Sequence, residues 1–344
     1  TGQHIRFTFF VSIHAQNGTI AIGVAANGLN FICHGQKNAD GKLVGQVITH
    51  TYISATATTG LHYTVMLSCD EDDLQDMYAD IHEKIERAAH AEILAPDGTR
   101  IVSQDVGLRL FGGSSRALQQ KSFKIIARKD GYFGEEPYAG QGTFSYPFFP
   151  ERTVIAGKNA GKVLEKYDGL ILRNGGNDSL LATAADPDRP NMLRDGMSNE
   201  FIAKFAPNVQ MSYAHFAVVY LNGEYWGIYF IREKLTDQYV AGNFGGEAEA
   251  VTLSNWTGGD CPKYKALQDY ARSHDLSQQK HYDYICSQIN MDNYIDYMIT
   301  QMWIANTDLG NVKFFRTDDM PWHWALFDTD LSFRRVSHAS VSNI

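Results

Sequence analysis

Apolar and polar positions alternate along much of the first 235 residues, whereas the end of the chain places its apolar residues at helical spacing. Alternation with a period of two is typical of strands with one buried face, and spacing of three and four residues is typical of helices. Residues 1–65, rich in Thr, Val, Ile and Gly, are predicted to form a β-rich N-terminal segment. The later pattern predicts helices at Pro262–Ser273, Gln278–Cys286 and Met291–Ile304. The chain is therefore predicted to be of the α+β class.

Between these two ends, the pattern predicts strands interrupted by two helices. Asn222-Gly223 between two apolar runs indicates a hairpin with a type I′ turn. Lys121, Phe123 and Ile125 alternate onto one strand face, which directs Lys121 toward the interior. The predicted helices are Glu71–Ile85 and Asn191–Phe205, and the predicted strands are Ala91–Leu94, Thr99–Val102, Val106–Leu110, Lys121–Ile126, Asp168–Arg173, Phe216–Leu221 and Tyr225–Ile231.

Acidic and amide side chains cluster in the stretch from Asn306 to Phe333. Asp308 and Asn311 lie in a predicted loop, and Asp328 and Asp330 follow an aromatic strand. In an extended segment, positions two apart point the same way, so Asp328 and Asp330 are expected to converge on one cation. Each of these residues taken alone is also a common turn former. As a set, they match what phosphoryl transfer with a divalent metal requires.

A loop rich in glycine and serine adds an anion-binding candidate. Gly112, Gly113, Ser114, Ser115 and Arg116 offer backbone N–H groups, hydroxyls and a positive charge, and Lys121 follows on the next strand. A Gly-Gly-Ser-Ser loop alone is more often a plain turn. A buried lysine beside it favours an acidic or phosphate partner.

Composition narrows the function classes. The chain has 344 residues, enough for one large domain or two lobes, and its net charge of −9 disfavours a general nucleic-acid-binding protein. No apolar run reaches the roughly 18 residues of a membrane span, and no signal peptide is visible. The four cysteines lack C-x-x-C spacing, which argues against structural zinc.

The order of these features is that of a two-lobed protein kinase. There, the first lobe supplies a lysine and a helix glutamate, a hairpin leads to a hinge, and the second lobe carries a catalytic aspartate and a metal-binding aspartate. Glu200 is the helix acid predicted to pair with Lys121, and a solvent-facing Glu200 is the equal alternative. The predicted division is 1–65 as the β-rich segment, 66–235 as the first lobe with sheet and helix, and 236–344 as the helical second lobe.

Several motifs together resemble the spore coat protein H (CotH) kinase-like family. They occur in the family's order between about residues 65 and 335. The motifs are Gly107–Arg116 followed by Lys121–Lys124, Leu172–Asp178, Leu193–Asp195, Asn222–Tyr229, Asn306–Asn311 and Trp324–Asp330.

This resemblance implies an atypical protein kinase-like fold that uses ATP with Mg²⁺ or Mn²⁺ to phosphorylate Ser-rich protein substrates, at the spore or cell surface or outside the cell. It implies Asp308 as the catalytic base and Lys121 on the nucleotide phosphates. Asp328 and Asn311 would hold the metal, with Asp330 close by as a second ligand or as support. The nucleotide-binding residues would be Gly112, Gly113, Ser114, Ser115, Arg116, Lys121 and, near the adenine, Glu233.

Two other functions remain open from the residues. A scaffold or coat module could keep the fold without turnover, although Lys121, Asp308 and Asp328 are all present. A metal-dependent hydrolase built on Asp308, Asp328 and Asp330 would have only His323 nearby, on the other strand face. The substrate protein, the preferred metal and the oligomeric state are not specified by the sequence.

Overall fold

The computed structural model describes residues 62–134, 139–179, 191–247, 261–308 and 310–333 in full. It also describes five strands by their backbone alone. Four of these lie in the N-terminal segment and pair in sequence as an antiparallel meander: β1 (Phe10–Gln16), β2 (Thr19–Ala26), β3 (Leu29–Gln36) and β4 (Ile48–Tyr52). The fifth, residues 252–255, belongs to a later sheet.

Seven strands close into a barrel. Its strands are β5 (Tyr63–Cys69), β6 (Arg87–Leu94), β7 (Arg100–Phe111), β8 (Ser122–Ala127), β11 (Gly169–Arg173), β13 (Ala214–Leu221) and β14 (Glu224–Arg232). They follow the order β11-β14-β13-β5-β6-β7-β8, and β8 pairs with β11 to close the ring. All neighbours are antiparallel except β13 and β5. Inward positions such as Val65, Phe123, Ile125, Leu172 and Ile231 are fully buried and form the barrel core.

A second core lies under a smaller sheet. Its strands run in the order β12 (Gln210–Met211), β17 (Met320–Leu326), β16 (Lys313–Thr317) and β15 (Thr252–Asn255). Three helices contribute side chains to the same core as this sheet. They are α4 (Pro262–Ser273), α5 (Gln279–Gln288) and α6 (Met291–Trp303). Phe314, Trp322 and Trp324 fill the interface, because the aromatic strand alternates its large side chains onto the helical side.

The remaining elements connect the two cores. Helix α1 (Glu71–Ala79) follows β5, and a short pair, β9 (Phe144–Ser145) with β10 (Lys166–Tyr167), lies in the otherwise irregular stretch before β11. Helix α2 (Arg194–Phe205) precedes the β13–β14 hairpin, and α3 (Asp237–Phe244) follows it. Asn222 and Gly223 have φ of 50° and 83°, as the predicted type I′ turn requires.

The α+β prediction is confirmed, whereas several predicted bounds were wrong. Helix α1 ends at Ala79 rather than Ile85, because the Asp80 carboxylate accepts hydrogen bonds from the amides of His82 and Glu83 and turns the chain. Strand β7 is continuous where two strands were predicted, and α3 was not predicted. No described helix has both the length and the apolar composition to cross a membrane.

Candidate functional site

The outer face of the barrel carries cations where β8 and β11 pair. Lys124 lies opposite Ile171, and Phe123 lies opposite Leu172. Paired residues in an antiparallel sheet share a face, so Phe123 and Leu172 point inward together and Lys124 points outward with Ile171. Arg173 follows Ile171 by two residues and is therefore on the same outer face as Lys124.

Arg173 joins this sheet face to the acidic end of β17. Its Nη2 donates to Asp328 and, over 2.8 Å, to Asp330 Oδ2. Its Nε lies 3.3 Å from Oδ2 of Asp195, on helix α2. Burial acts to lower the pKa of Arg173, but the three carboxylates outweigh burial and raise it, so the guanidinium is a permanent cation.

Asp195 is the acid through which helix α2 contacts the sheet. Burial acts to raise the pKa of Asp195, but the Arg232 and Arg173 guanidinium groups hold it well below the usual range. Thr329 donates both its backbone N–H (3.0 Å) and its hydroxyl (2.9 Å) to Asp195 Oδ1. A buried carboxylate with this many donors stays ionised and fixes the helix, the sheet and the β17 end together.

The predicted pairing of Glu200 with Lys121 is wrong. Glu200 is exposed on α2, whose buried face carries Asp195 and Ile202. A different acid of the same helix contacts the sheet. The helix does direct a carboxylate at sheet cations, but the carboxylate is that of Asp195 and its partners are Arg173 and Arg232.

Asp308, Asn311 and Asp328 form one hydrogen-bonded cluster. Asn311 Nδ2 donates to Asp308 Oδ2 over 2.7 Å and to Asp328 Oδ2 over 2.9 Å. The Asp308 loop is held by buried Asn306, whose Oδ1 accepts the Asp308 N–H. The loop before β16 and the segment after β17 are thus in direct contact.

The geometry of the Asp328–Asp330 segment differs from the prediction. Asp328 has a left-handed backbone, with φ of 56°, rather than an extended one. The two carboxylates do converge on one cationic group, but that group is Arg173. Asp330 is 1% exposed, and burial raises its pKa to about 6 although Arg173 opposes the shift.

A cluster of cations adjoins this acidic set. Burial first, and then the positive charges of Lys124, Arg109, Lys313 and Lys84, lower the pKa of Lys234 to about 8. Arg109 on β7 lies directly opposite Lys124 on β8 in the strand register. Lys313 follows Asn311 by two residues, and its Nζ lies 5.0 Å from the centre of the Phe327 ring, next to Asp328. Cations gathered this closely are suited to a polyanion.

A cleft of about 370 Å³ opens beside these lysines. Lys234 and Gly169 line it, and the Lys124 side chain lies against Gly169. Glu233 also lines it, but its carboxylate accepts from Arg152 and Asn243, and burial raises its pKa. The predicted place of Glu233 near the adenine stays a prediction.

Lys121 is buried, as predicted, but its partners are neutral. Its Nζ donates to the carbonyl oxygens of Arg116 (2.6 Å) and Leu118 (3.1 Å) and lies 5.0 Å from the centre of the Tyr78 ring. Burial lowers its pKa. The role of Lys121 on the phosphates stays a prediction. Lys124, which the sequence analysis missed, shares the outer face with Arg173.

The Gly-Gly-Ser-Ser loop connects β7 to β8. Ser114–Ala117 forms a turn of 3₁₀ helix, and Arg116 donates to the carbonyls of His82 (3.3 Å) and Glu83 (3.2 Å). Gly113 and Ser114 are exposed. The loop is therefore anchored through Arg116, while its Gly-Ser tip faces solvent.

The donors near Asp328 fit a small divalent ion in kind. Asp308, Asn311 and Asp328 offer carboxylate and amide oxygens, the hard ligands that Mg²⁺ prefers, once the Asn311 amide turns its oxygen inward. Within the described part of the chain, no group of three or more His, Cys, Asp or Glu is arranged as a complete metal centre. The arrangement suits an ion that completes its shell with phosphate oxygens and water.

Comparison with protein families identifies the chain. A family model described as CotH kinase protein matches residues 108–275 and 257–344. The chain belongs to the CotH kinase family. The matched CotH segments contain every site residue discussed above except His82, Glu83, Tyr78 and Lys84, which precede residue 108. A comparison with curated proteins gave no significant match.

Proposed function

We propose that this CotH family member transfers the γ-phosphoryl group of ATP to a Ser or Thr hydroxyl of a protein substrate. The observation that carries the proposal is that a cluster of cations adjoins a set of oxygen donors. Lys313, one of the cations that lower the pKa of Lys234, follows Asn311 by two residues, and the Asn311 amide binds both Asp308 and Asp328. A nucleotide triphosphate with its metal needs this combination.

Each part of the cleft has a role in the proposal. Lys124, Lys234 and Arg109 bind phosphate oxygens, with Lys121 as the alternative carried by the family motif. Asp328 and Asn311 hold the divalent cation, which neutralises charge developing on the phosphates when bound. The cleft beside Glu233 takes the base. The barrel and the helical core act as the two lobes, mainly within 66–235 and 236–344, although β12 of the first range pairs with β17 of the second.

Asp308 orients the substrate hydroxyl and receives its proton. A bond forms between the hydroxyl oxygen and the γ-phosphorus, while the bond from that phosphorus to the β–γ bridging oxygen breaks and ADP leaves. Asp308 suits this role because it is partly exposed and lies one Asn311 side chain away from Asp328. Ser-rich surface or coat proteins are the proposed substrates, and the spore or cell surface is the proposed location.

The test separates the two aspartates. Asp328→Asn is expected to abolish both phosphoryl transfer and the thermal stabilisation by ATP with Mg²⁺ or Mn²⁺. At a ligand concentration of 100 times Kd, that stabilisation is about 2.7 kcal/mol in the native protein. Asp308→Asn is expected to keep the stabilisation and lose transfer, since its role is with the hydroxyl.

Asp318→Asn is the matched control, because Asp318 is an exposed acid in the β16–β17 turn. Transfer is followed with labelled ATP and Ser-rich peptides, and stabilisation by thermal shift. A full metal-dependent shift in the Asp328 variant would place the metal elsewhere. Nucleotide binding without transfer in the unaltered chain would favour the scaffold function.

A further inference from the structure

Part of the acidic site is already neutralised by the protein itself. We propose that the Arg173 guanidinium takes the place of a second metal ion, so that the acidic site binds one divalent cation per chain, on the side of Asp328 that faces Asn311. This inference rests on the proposed function. It makes Asp330 a support of Arg173 rather than a metal ligand.

The two oxygens of Asp328 face different partners. Oδ1 accepts from Arg173, and Oδ2 accepts from Asn311 over 2.9 Å. Since Asp328 is only partly exposed and Arg173 is buried, the Oδ1 side is closed by protein. Only the Oδ2 side, shared with exposed Asn311 and partly exposed Asp308, is open to an ion that also contacts phosphates.

Three protein donors contact the Asp330 carboxylate. Oδ2 accepts from Arg173 and from the backbone N–H of Asn177, each over 2.8 Å, and Oδ1 accepts from Asn177 Nδ2 over 3.4 Å. Gly176 lies so close that a Cβ there would overlap both Asp330 Oδ2 and the Arg173 guanidinium. Because Asp330 is almost fully buried, its Oδ2 side is closed to a hydrated ion.

The charge count agrees with a single divalent ion. Asp195, Asp308, Asp328 and Asp330 supply four negative charges when all are ionised, and Arg173 and Arg232 supply two positive charges. One divalent cation brings this set to neutrality before the nucleotide charge is added. A second one would place excess positive charge against two buried guanidinium groups, which is unfavourable in a region of low dielectric.

The direct measurement is a count of bound Mn²⁺. Mn²⁺ is titrated into the full chain with and without the ATP analogue AMP-PNP, and the free ion is followed by its EPR signal. One Mn²⁺ per chain with a mononuclear spectrum is expected. Two ions at the 3.5–4 Å spacing of two-metal sites would instead be spin-coupled, and that result would overturn the inference.

Two variants locate the ion. Asp330→Asn is expected to keep one Mn²⁺ with its affinity changed less than about threefold, whereas Asp328→Asn is expected to lose it. A tenfold or larger loss in Asp330→Asn would mean that Asp330 is a ligand, and the inference would fail. Asp330→Asn decides the question even if variants of Arg173 do not fold.

Arg173→Met removes the internal cation while keeping much of the side-chain length. It is expected to bind a second Mn²⁺ and to become strongly dependent on metal for its thermal stability, whereas Arg173→Lys keeps one ion. A single ion in a folded Arg173→Met protein would contradict the inference. If the unaltered chain bound no Mn²⁺ with AMP-PNP, the metal-dependent proposed function would fail as well, so the two failures are distinguishable.

Discussion

At the scale of single residues, Lys121 and Lys124 show how a strand separates core from site. Lys121 immediately precedes β8 and is buried, and its Nζ contacts carbonyl oxygens and an aromatic ring. Lys124 lies on the opposite face, where Arg173 and the cleft are found. The sequence pattern correctly predicted that Lys121 points inward. In a closed barrel, however, the inward direction leads away from the outer face that carries Arg173.

We expect Lys124→Met to weaken binding of an ATP analogue by about tenfold or more, the loss typical of a hydrogen bond between charged groups. Lys121→Met is expected to leave that affinity within about threefold and to lower the thermal midpoint instead. Calorimetric titration of AMP-PNP measures the first effect. Lys129→Met, at an exposed lysine just after β8, is the control. Loss of binding in the Lys121 variant alone would restore Lys121 as the phosphate ligand.

At the scale of elements, the loop before β10 and the end of α3 are held together by a close backbone contact. The N–H of Lys158 donates to the carbonyl of Phe244 over 2.7 Å. Gly157 has φ of +77°, and a Cβ there would overlap the Phe244 carbonyl. This contact supports the wall of the cleft, because α3 contributes Gln238 and Tyr239 to its lining.

Gly157→Ala is therefore expected to lower the free energy of unfolding by about 2–4 kcal/mol. The left-handed conformation alone costs about 1–2 kcal/mol, and the overlap with backbone adds to it. Gly161→Ala is the matched control, since Gly161 has φ of +76° but no atom within 4 Å of its Cβ position. Urea denaturation of both variants isolates the contact. If both variants lost the same free energy of unfolding, the loop that contains Gly157 would be able to move away from Phe244 without an energetic cost.

Local patterns predicted some elements well and could not predict others. Helix α4 was predicted to the residue, and α5 and α6 within two residues of their ends, because apolar spacing and Pro262 are local signals. Closure of the barrel depends on β5 meeting β13 and β8 meeting β11, which no local pattern encodes.

The acidic set was found because Asp308, Asn311, Asp328 and Asp330 lie in one stretch. Arg173 and Asp195 come from other elements, so their part in the cluster was not foreseen.

At the scale of the whole molecule, the cation cluster around Lys234 is opposite in sign to the net charge. The net charge of the chain is −9, yet Lys234, just after β14, has positively charged neighbours on β7, β8 and β16. On a protein with a negative net charge, such a local cluster of cations is expected to attract the phosphates of a nucleotide. The same crowding lowers the pKa of Lys234 to about 8, burial being the larger cause.

Nucleotide affinity is therefore expected to fall several-fold between pH 7 and pH 9. Lys234 is a cation below its pKa of about 8 and is neutral above it, so the attraction for phosphate weakens as the pH rises. Lys234→Gln is expected to bind more weakly at pH 7 and to show a flatter pH profile. Titration of AMP-PNP at a series of pH values tests both, and an unchanged profile in the variant would contradict the assignment.

Stability without nucleotide is expected to change in the opposite direction. The folded protein loses the Lys234 proton near pH 8, whereas the unfolded chain keeps it to about pH 10.5. The unfolded state thus binds more protons in that interval, and the contribution of Lys234 to the free energy of unfolding increases with pH.

The parallel pairing of β5 with β13 also sets an order of events during synthesis. Tyr63 can pair with Ala217 only after β6, β7, β8 and β11 have left the ribosome. Until then, the early strands expose their apolar faces and one unpaired edge to solvent. A fragment that starts at residue 108, where the CotH match begins, would lack β5, β6 and most of β7. Its remaining strands would form an open sheet with two unprotected edges, a form prone to aggregate. The residues that the family model matches thus contain only part of the closed barrel.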